Sequence, residues 1–259
     1  PGLGDTAVFV IAPEPDGGES VAWIPVEPAP APFDRGTLHI DDWLGGGVPE
    51  DSHDAFYEAA LVDADEWDPY EHIEEGSPTL PPPETLGRYG SVVWTLSESG
   101  GLMRANHATE SWRLAEAYVR AGGNLIVEGP SAAATLAGSH PFGLPELAPP
   151  GSFLRKRAGV LSVATTGNST DPAGPLGYGY AFLGAAPSSS GLPPLAVDTL
   201  GSWAEGHALH GGLPWCEVYV ADEETERLYL FNAYRNDAFD EKPCAVMRRA
   251  TDGSGSVVI

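Results

Sequence analysis

The chain has 259 residues, of which 37 are acidic and 13 basic, giving a formal net charge of −24 at pH 7. That balance argues against a nucleic-acid partner, which needs clustered lysine or arginine to neutralise phosphates; no run approaches the roughly 20 apolar residues that span a bilayer. A hydrophobic content of 42% with seven tryptophans predicts a folded globule, and 32 glycines with 25 prolines predict many turns and long, stiffened loops.

Residues 1–26 hold two apolar β-prone runs, "AVFVIA" and "VAWIPV", around the turn "PEPDGGES", which predicts a β-hairpin. Residues 27–36, "EPAPAPFDRG", form an Ala-Pro linker that is extended and semi-rigid. A hairpin followed by such a linker resembles the last two strands of an immunoglobulin-like or fibronectin-like β-sandwich. The chain opens without Met and closes on "GSVVI", so a fragment of a larger protein is expected.

The main domain is expected over 37–259. Thr37 to Ile40 reads as a strand ending in Asp41-Asp42. "SHDAFYEAALVDA" reads as a helix with Ser52 as N-cap and Phe56, Ala59 and Ala60 at helical spacing. A second strand, made irregular by Pro69, falls in "EWDPYEHI", and a buried one runs from Ser91 to Leu96. In "ATESWRLAEAYVRAGG", Trp112, Ala115, Tyr118 and Val119 share one helical stripe that Gly122-Gly123 closes. "NLIVEG" is another buried strand, and "SAAATLAG" opens a helix. This order predicts a parallel sheet with helices on both faces. From about residue 141 the segments are short, β-rich and divided by Gly/Pro turns, with a hairpin expected around "EETE".

In order, "LHIDDW", "FYEAAL", "WDPY", "LGRYGSVVWTL" and "LAEAYVRAGGNLIVEG" resemble the flavodoxin-like domains related to class I glutamine amidotransferases, over roughly residues 37–140. The resemblance implies a flavodoxin-like α/β fold with helices flanking a parallel sheet, carrying here a β-rich C-terminal extension and an N-terminal β-hairpin. It also implies a setting in a large bacterial secreted or cell-surface protein, with other domains of the same polypeptide as partners.

In that family the turn after "NLIVEG" carries a cysteine, activated by histidine and an acid, because the thiolate is the attacking species. No cysteine stands at Gly129, Pro130 or Ser131. Ser131 is the one substitute, with His207 or His210 as base and Glu205 to orient it. G-x-S-x-G is absent, however, and the competing role for Ser131 is a helix N-cap. Asp41 and Asp42 end a strand where open α/β sheets present ligand-binding groups, and paired carboxylates bind Mg²⁺ or Ca²⁺. Since neighbouring strand residues point to opposite faces, the competing reading is a pair of solvated, capping carboxylates. Trp43 beside them offers a ring for glycan stacking. His39 and His53 match no H-x-x-x-H or H-E-x-x-H pattern. Cys216 and Cys244 form either a disulfide or two inert core thiols. The resulting expectation is a non-catalytic scaffolding or ligand-binding module, extracellular or at the cell surface, with no cofactor. The alternatives are a serine hydrolase at Ser131, or glycan or divalent-metal binding at the sheet's carboxyl edge.

Overall fold

A computed structural model describes residues 6–13, 19–26, 31–42, 50–62, 64, 66–71, 73–74, 77–78, 80–96, 108–129, 132–133, 146–165, 182–197, 216–233 and 239–259. The chain divides into two compact units, Pro1–Ala31 and Pro32–Ile259. In the first, β1 (Thr6–Pro13) and β2 (Glu19–Val26) pair antiparallel, from Thr6 opposite Val26 to Pro13 opposite Glu19.

The second unit begins with β3 (Arg35–Asp42), α1 (Glu50–Ala60) and β4 (Trp67–Glu71). A two-residue antiparallel pair follows, β5 (Ile73–Glu74) with β6 (Ser77–Pro78), and then α2 (Pro83–Leu86). Next come β7 (Tyr89–Leu96), α3 (Ala108–Ala121) and β8 (Asn124–Glu128). After β9 (Glu146–Leu147) and a π-helical turn at Leu154–Ala158, the rest is strand: β10 (Val160–Thr165), β11 (Phe182–Pro187), β12 (Leu195–Ala196), β13 (Glu217–Ala221), β14 (Glu226–Ala233), β15 (Pro243–Arg248) and β16 (Val257–Val258).

Nine of these strands make one mixed sheet in the order β12-β11-β14-β15-β16-β8-β7-β3-β4. From β16 to β4 every neighbouring pair is parallel; from β16 to β12 every pair is antiparallel. The expected flavodoxin-like α/β fold, a parallel sheet flanked by helices, is therefore corrected to a strand-rich mixed sheet with few helices. The cause is the way the C-terminal half joins. β16 adds directly to β8, and the strands beyond it run antiparallel, so they need no helical crossover. Three further strands, β13-β10-β9, form a separate antiparallel sheet. The hairpin expected at "EETE" is also corrected: β13 and β14 lie in different sheets. The intervening turn carries the chain between them, held by the Thr225 hydroxyl donating to Asp222 Oδ1 at 2.7 Å.

Burial explains the strands. In β3 every residue from Leu38 to Asp42 is buried, as befits a parallel strand covered on both faces. Leu38, Ile40, Trp94, Leu96, Leu125 and Val127 form the heart of one apolar core with Phe153, Leu154 and Val246. The helical stripe of α3 faces it through Ala115, Tyr118 and Val119, with Trp112 packed at its margin. Among the described residues β4 pairs only with β3 and stands at the sheet edge, where Pro69 costs no ladder bond on the open side. In α1 the reading of the sequence fails twice. Ser52 lies inside the helix rather than capping it. Phe56 is 62% exposed, while His53 and Tyr57 take the buried face. No helix among the described residues is long and apolar enough to cross a membrane.

Candidate functional site

The parallel strands end in polar residues that the register aligns. Asp41 of β3 lies opposite Thr95 of β7, which lies opposite Glu128 of β8, so the three occupy one lateral row on one face. His39, two residues before Asp41, shares that face because strand side chains alternate. The crossover helix α1 then lays His53 and Tyr57, one turn apart, over the row.

The contacts form a continuous network. His53 Nδ1 is 2.9 Å from Asp41 Oδ2 and 3.9 Å from Asp54 Oδ1. The Thr95 hydroxyl donates to Glu128 Oε1 at 3.2 Å and stands 3.0 Å from His39 Nε2. The Tyr57 hydroxyl is hydrogen-bonded to Glu128 and to Thr95. The Tyr57 ring stacks on His39 with centroids 4.3 Å apart and leans on His53 at 4.7 Å.

Burial governs the protonation states. It pushes His39 down to about 4, against the pull of Asp41 and with the help of His53. It raises Tyr57, and Glu128 adds to that rise. It also raises the Glu128 carboxyl, although hydrogen bonds from Tyr57 and Thr95 and the proximity of His53 act the other way. At neutral pH the row thus holds a neutral imidazole and a neutral phenol beside carboxyl groups.

Asp41 is 4% exposed and Asp42 fully buried, so they are not the solvated caps that the sequence allows. Both faces of an internal strand are covered, and pointing apart does not bring either residue to water. One ligand oxygen or nitrogen each from Asp41, His53 and Asp54 lies within 4.8 Å of the others, a set that could hold a metal ion. Ser131, Glu205, His207, His210 and Trp43 lie outside the described residues. The approach to Ser131 is described: Gly129 has φ +137°, and a Cβ there would collide with the Leu96 carbonyl oxygen. Just beyond, the Ala133 N–H donates to buried Glu217 Oε2 at 2.8 Å, which also accepts from the Tyr219 hydroxyl at 3.0 Å. Cys216 and Cys244 are not joined in a disulfide. Burial raises Cys216 far above the usual thiol range, reinforced by Cys244 and Glu217, and pushes Cys244 up to about 12. Neither is a thiolate at neutral pH.

His39, His53, Tyr57, Thr95, Glu128 and Glu217 all escaped the motif search. A signal was present for the first five: each apolar run of the parallel sheet ends in a polar residue ("HIDD", "VVWTL", "LIVEG"), and His53 and Tyr57 are four apart on the next helix. Glu217 carries no local signal, because its partner Ala133 is distant in sequence.

No family model matches the sequence, and no curated protein does. Among solved structures the chain is similar to Cytoplasmic Protein STM3548 from Salmonella typhimurium, at 12% identity and a TM-score of 0.42, over 98% of this chain and 82% of that one.

Proposed function

We propose that this protein is a non-catalytic ligand-binding module of a larger secreted or cell-surface protein, and that it binds a divalent cation at the carboxyl edge of its parallel strands through Asp41, His53 and Asp54. The observation that carries the reading is the convergence of their donor atoms within 4.8 Å. One imidazole and two carboxylates suit borderline ions such as Zn²⁺ or Mn²⁺ better than Ca²⁺ or Mg²⁺, which favour oxygen alone. A tetrahedral ion about 2.1 Å from each donor sets them about 3.4 Å apart. The 2.9 Å pair must open slightly and the wider ones close. Asp54, half exposed at the helix surface, has the freedom to make that move.

The non-catalytic part of the reading draws on the absence of cysteine at Gly129, Pro130 and Ser131, and on the two unreactive thiols elsewhere. The module setting draws on the β1–β2 hairpin ahead of a proline-rich stretch, and on the resemblance over 37–140.

Thermal unfolding of the metal-stripped chain with Zn²⁺, Mn²⁺ or Ca²⁺ tests the cation reading. At a hundred times Kd, binding to the folded state adds about 2.7 kcal/mol, several degrees in Tm for a chain of this size. The expected result is a rise with Zn²⁺ or Mn²⁺ that disappears in His53→Ala. No rise, or one equally large in that variant, refutes it. Labelling of Ser131 by a fluorophosphonate, lost in His207→Ala or His210→Ala, would refute the non-catalytic part.

A further inference from the structure

At the opposite end of the sheet, the segment leading into β16 runs beside the start of β8: Leu125 N–H donates to the Ser256 carbonyl at 2.9 Å, and Ser256 N–H to Asn124 Oδ1 at 3.0 Å. Here a cleft of about 330 Å³ opens between the π-helical turn and the loop after β15. Its walls include Lys156, Arg157, Arg248 and Arg249, four of only thirteen basic residues in a chain of net charge −24. The two basic runs of the sequence, Arg155-Lys156-Arg157 and Arg248-Arg249, are far apart in the chain and meet only through the fold. Two carboxylates, Glu224 and Asp252, also line the cleft.

Pairing does not use up the cations. Arg248 is committed: it binds Asp222 through Nη1 and Glu224 through Nη2 at 2.7 Å. Arg157 Nη1 donates to Ser254 Oγ at 3.3 Å and lies 3.5 Å from Asp252, while its buried Nε has no acceptor among the described residues. Arg249 is 71% exposed, and its ion pair, with Glu226, is stretched to 3.7 Å. Lys156 has no ion pair among the described residues. The frame that holds them is rigid. Phe153 and Leu154 anchor the π-helical turn in the core, and Gly159 ends it at φ +67° with no room for a Cβ between Thr225 and Arg248.

We infer that this cleft is a binding site for the oxyanion group, phosphate or carboxylate, of a small ligand, held by Lys156 and Arg249 with Arg157 behind them. Guanidinium forks and ammonium groups are the donors that match such oxygens. The volume admits a small organic body behind the anionic group. The acidic remainder of the molecule repels extended polyanions, so the ligand is compact.

Calorimetric titration of the whole chain, at fixed ionic strength in chelator-containing buffer, tests this with inorganic phosphate in one arm and malonate in the other. Saturable binding of at least one, weakened tenfold or more in both Lys156→Ala and Arg249→Ala, is expected; the tighter arm names the group. His53→Ala retains it, which separates this site from the cation reading. Both substitutions lie outside the core, so a Tm within a degree or two of the parent shows that the variants remain folded. Absence of saturable binding in both arms, or undiminished binding in the two variants, overturns the inference.

Discussion

The two ends of the sheet solve opposite electrostatic problems. At the carboxyl edge buried polar groups meet one another: Asp41 lies beside His53 of α1, and the strand register brings Thr95 to Glu128 and His39. At the amino end basic side chains outnumber the two carboxylates, lie partly in water, and come from segments joined only by the fold. Buried groups must be satisfied before folding is favourable, whereas exposed ones cost little to alter. The comparison therefore predicts that stability is sensitive at the first end and function alone at the second.

The largest effect belongs to Gly129→Ala. A positive φ that L residues rarely adopt and a collision with the Leu96 backbone should cost about 3 kcal/mol in urea unfolding. A loss under about 1 kcal/mol would mean that β7 and β8 can part at this edge cheaply. Next is pH. His39 titrates near 6.5 unfolded and at about 4 folded, so the unfolded state takes up the proton first. Stability should be full above pH 6.5 and fall by up to about 3 kcal/mol as pH drops to 4. His39→Gln should flatten that slope; an unchanged slope would place the titration elsewhere. Removing the Asp41 carboxylate as Asp41→Ala should cost about 2 kcal/mol, because it takes away the buried acidic partner 2.9 Å from His53 Nδ1. Smallest are Lys156→Ala and Arg249→Ala, expected within about 0.5 kcal/mol of the parent. Losses of 2 kcal/mol there would erase the contrast between the two ends.

The parallel strands were legible because burial on both faces leaves unbroken apolar runs: Leu38 with Ile40, Val92 to Leu96, and Leu125 to Val127 all stand where those runs predict strands. What the C-terminal strands attach to was not legible. Short strands of period two show which face is apolar but not which edge they join, and β16 reaches β8 across most of the domain's sequence. For the same reason "EETE" resembles a hairpin turn although it links two sheets. In the site, Asp41 and Asp42 could be picked from the end of a strand, but their burial depends on β4 and β7 lying on either side. His53 belonged to no motif because its partner Asp41 is on the preceding strand, twelve residues earlier in the chain, and Phe56 drew the apolar stripe of α1 to the wrong face.

Anomalous diffraction from crystals soaked in Zn²⁺ tests the cation site most directly. The expected peak lies between Asp41, His53 and Asp54, with nitrogen and oxygen ligands at about 2.0–2.2 Å. Zinc bound instead by the Cys216 and Cys244 sulfurs, or density absent from the Asp41–His53 pair at saturating metal, would contradict it.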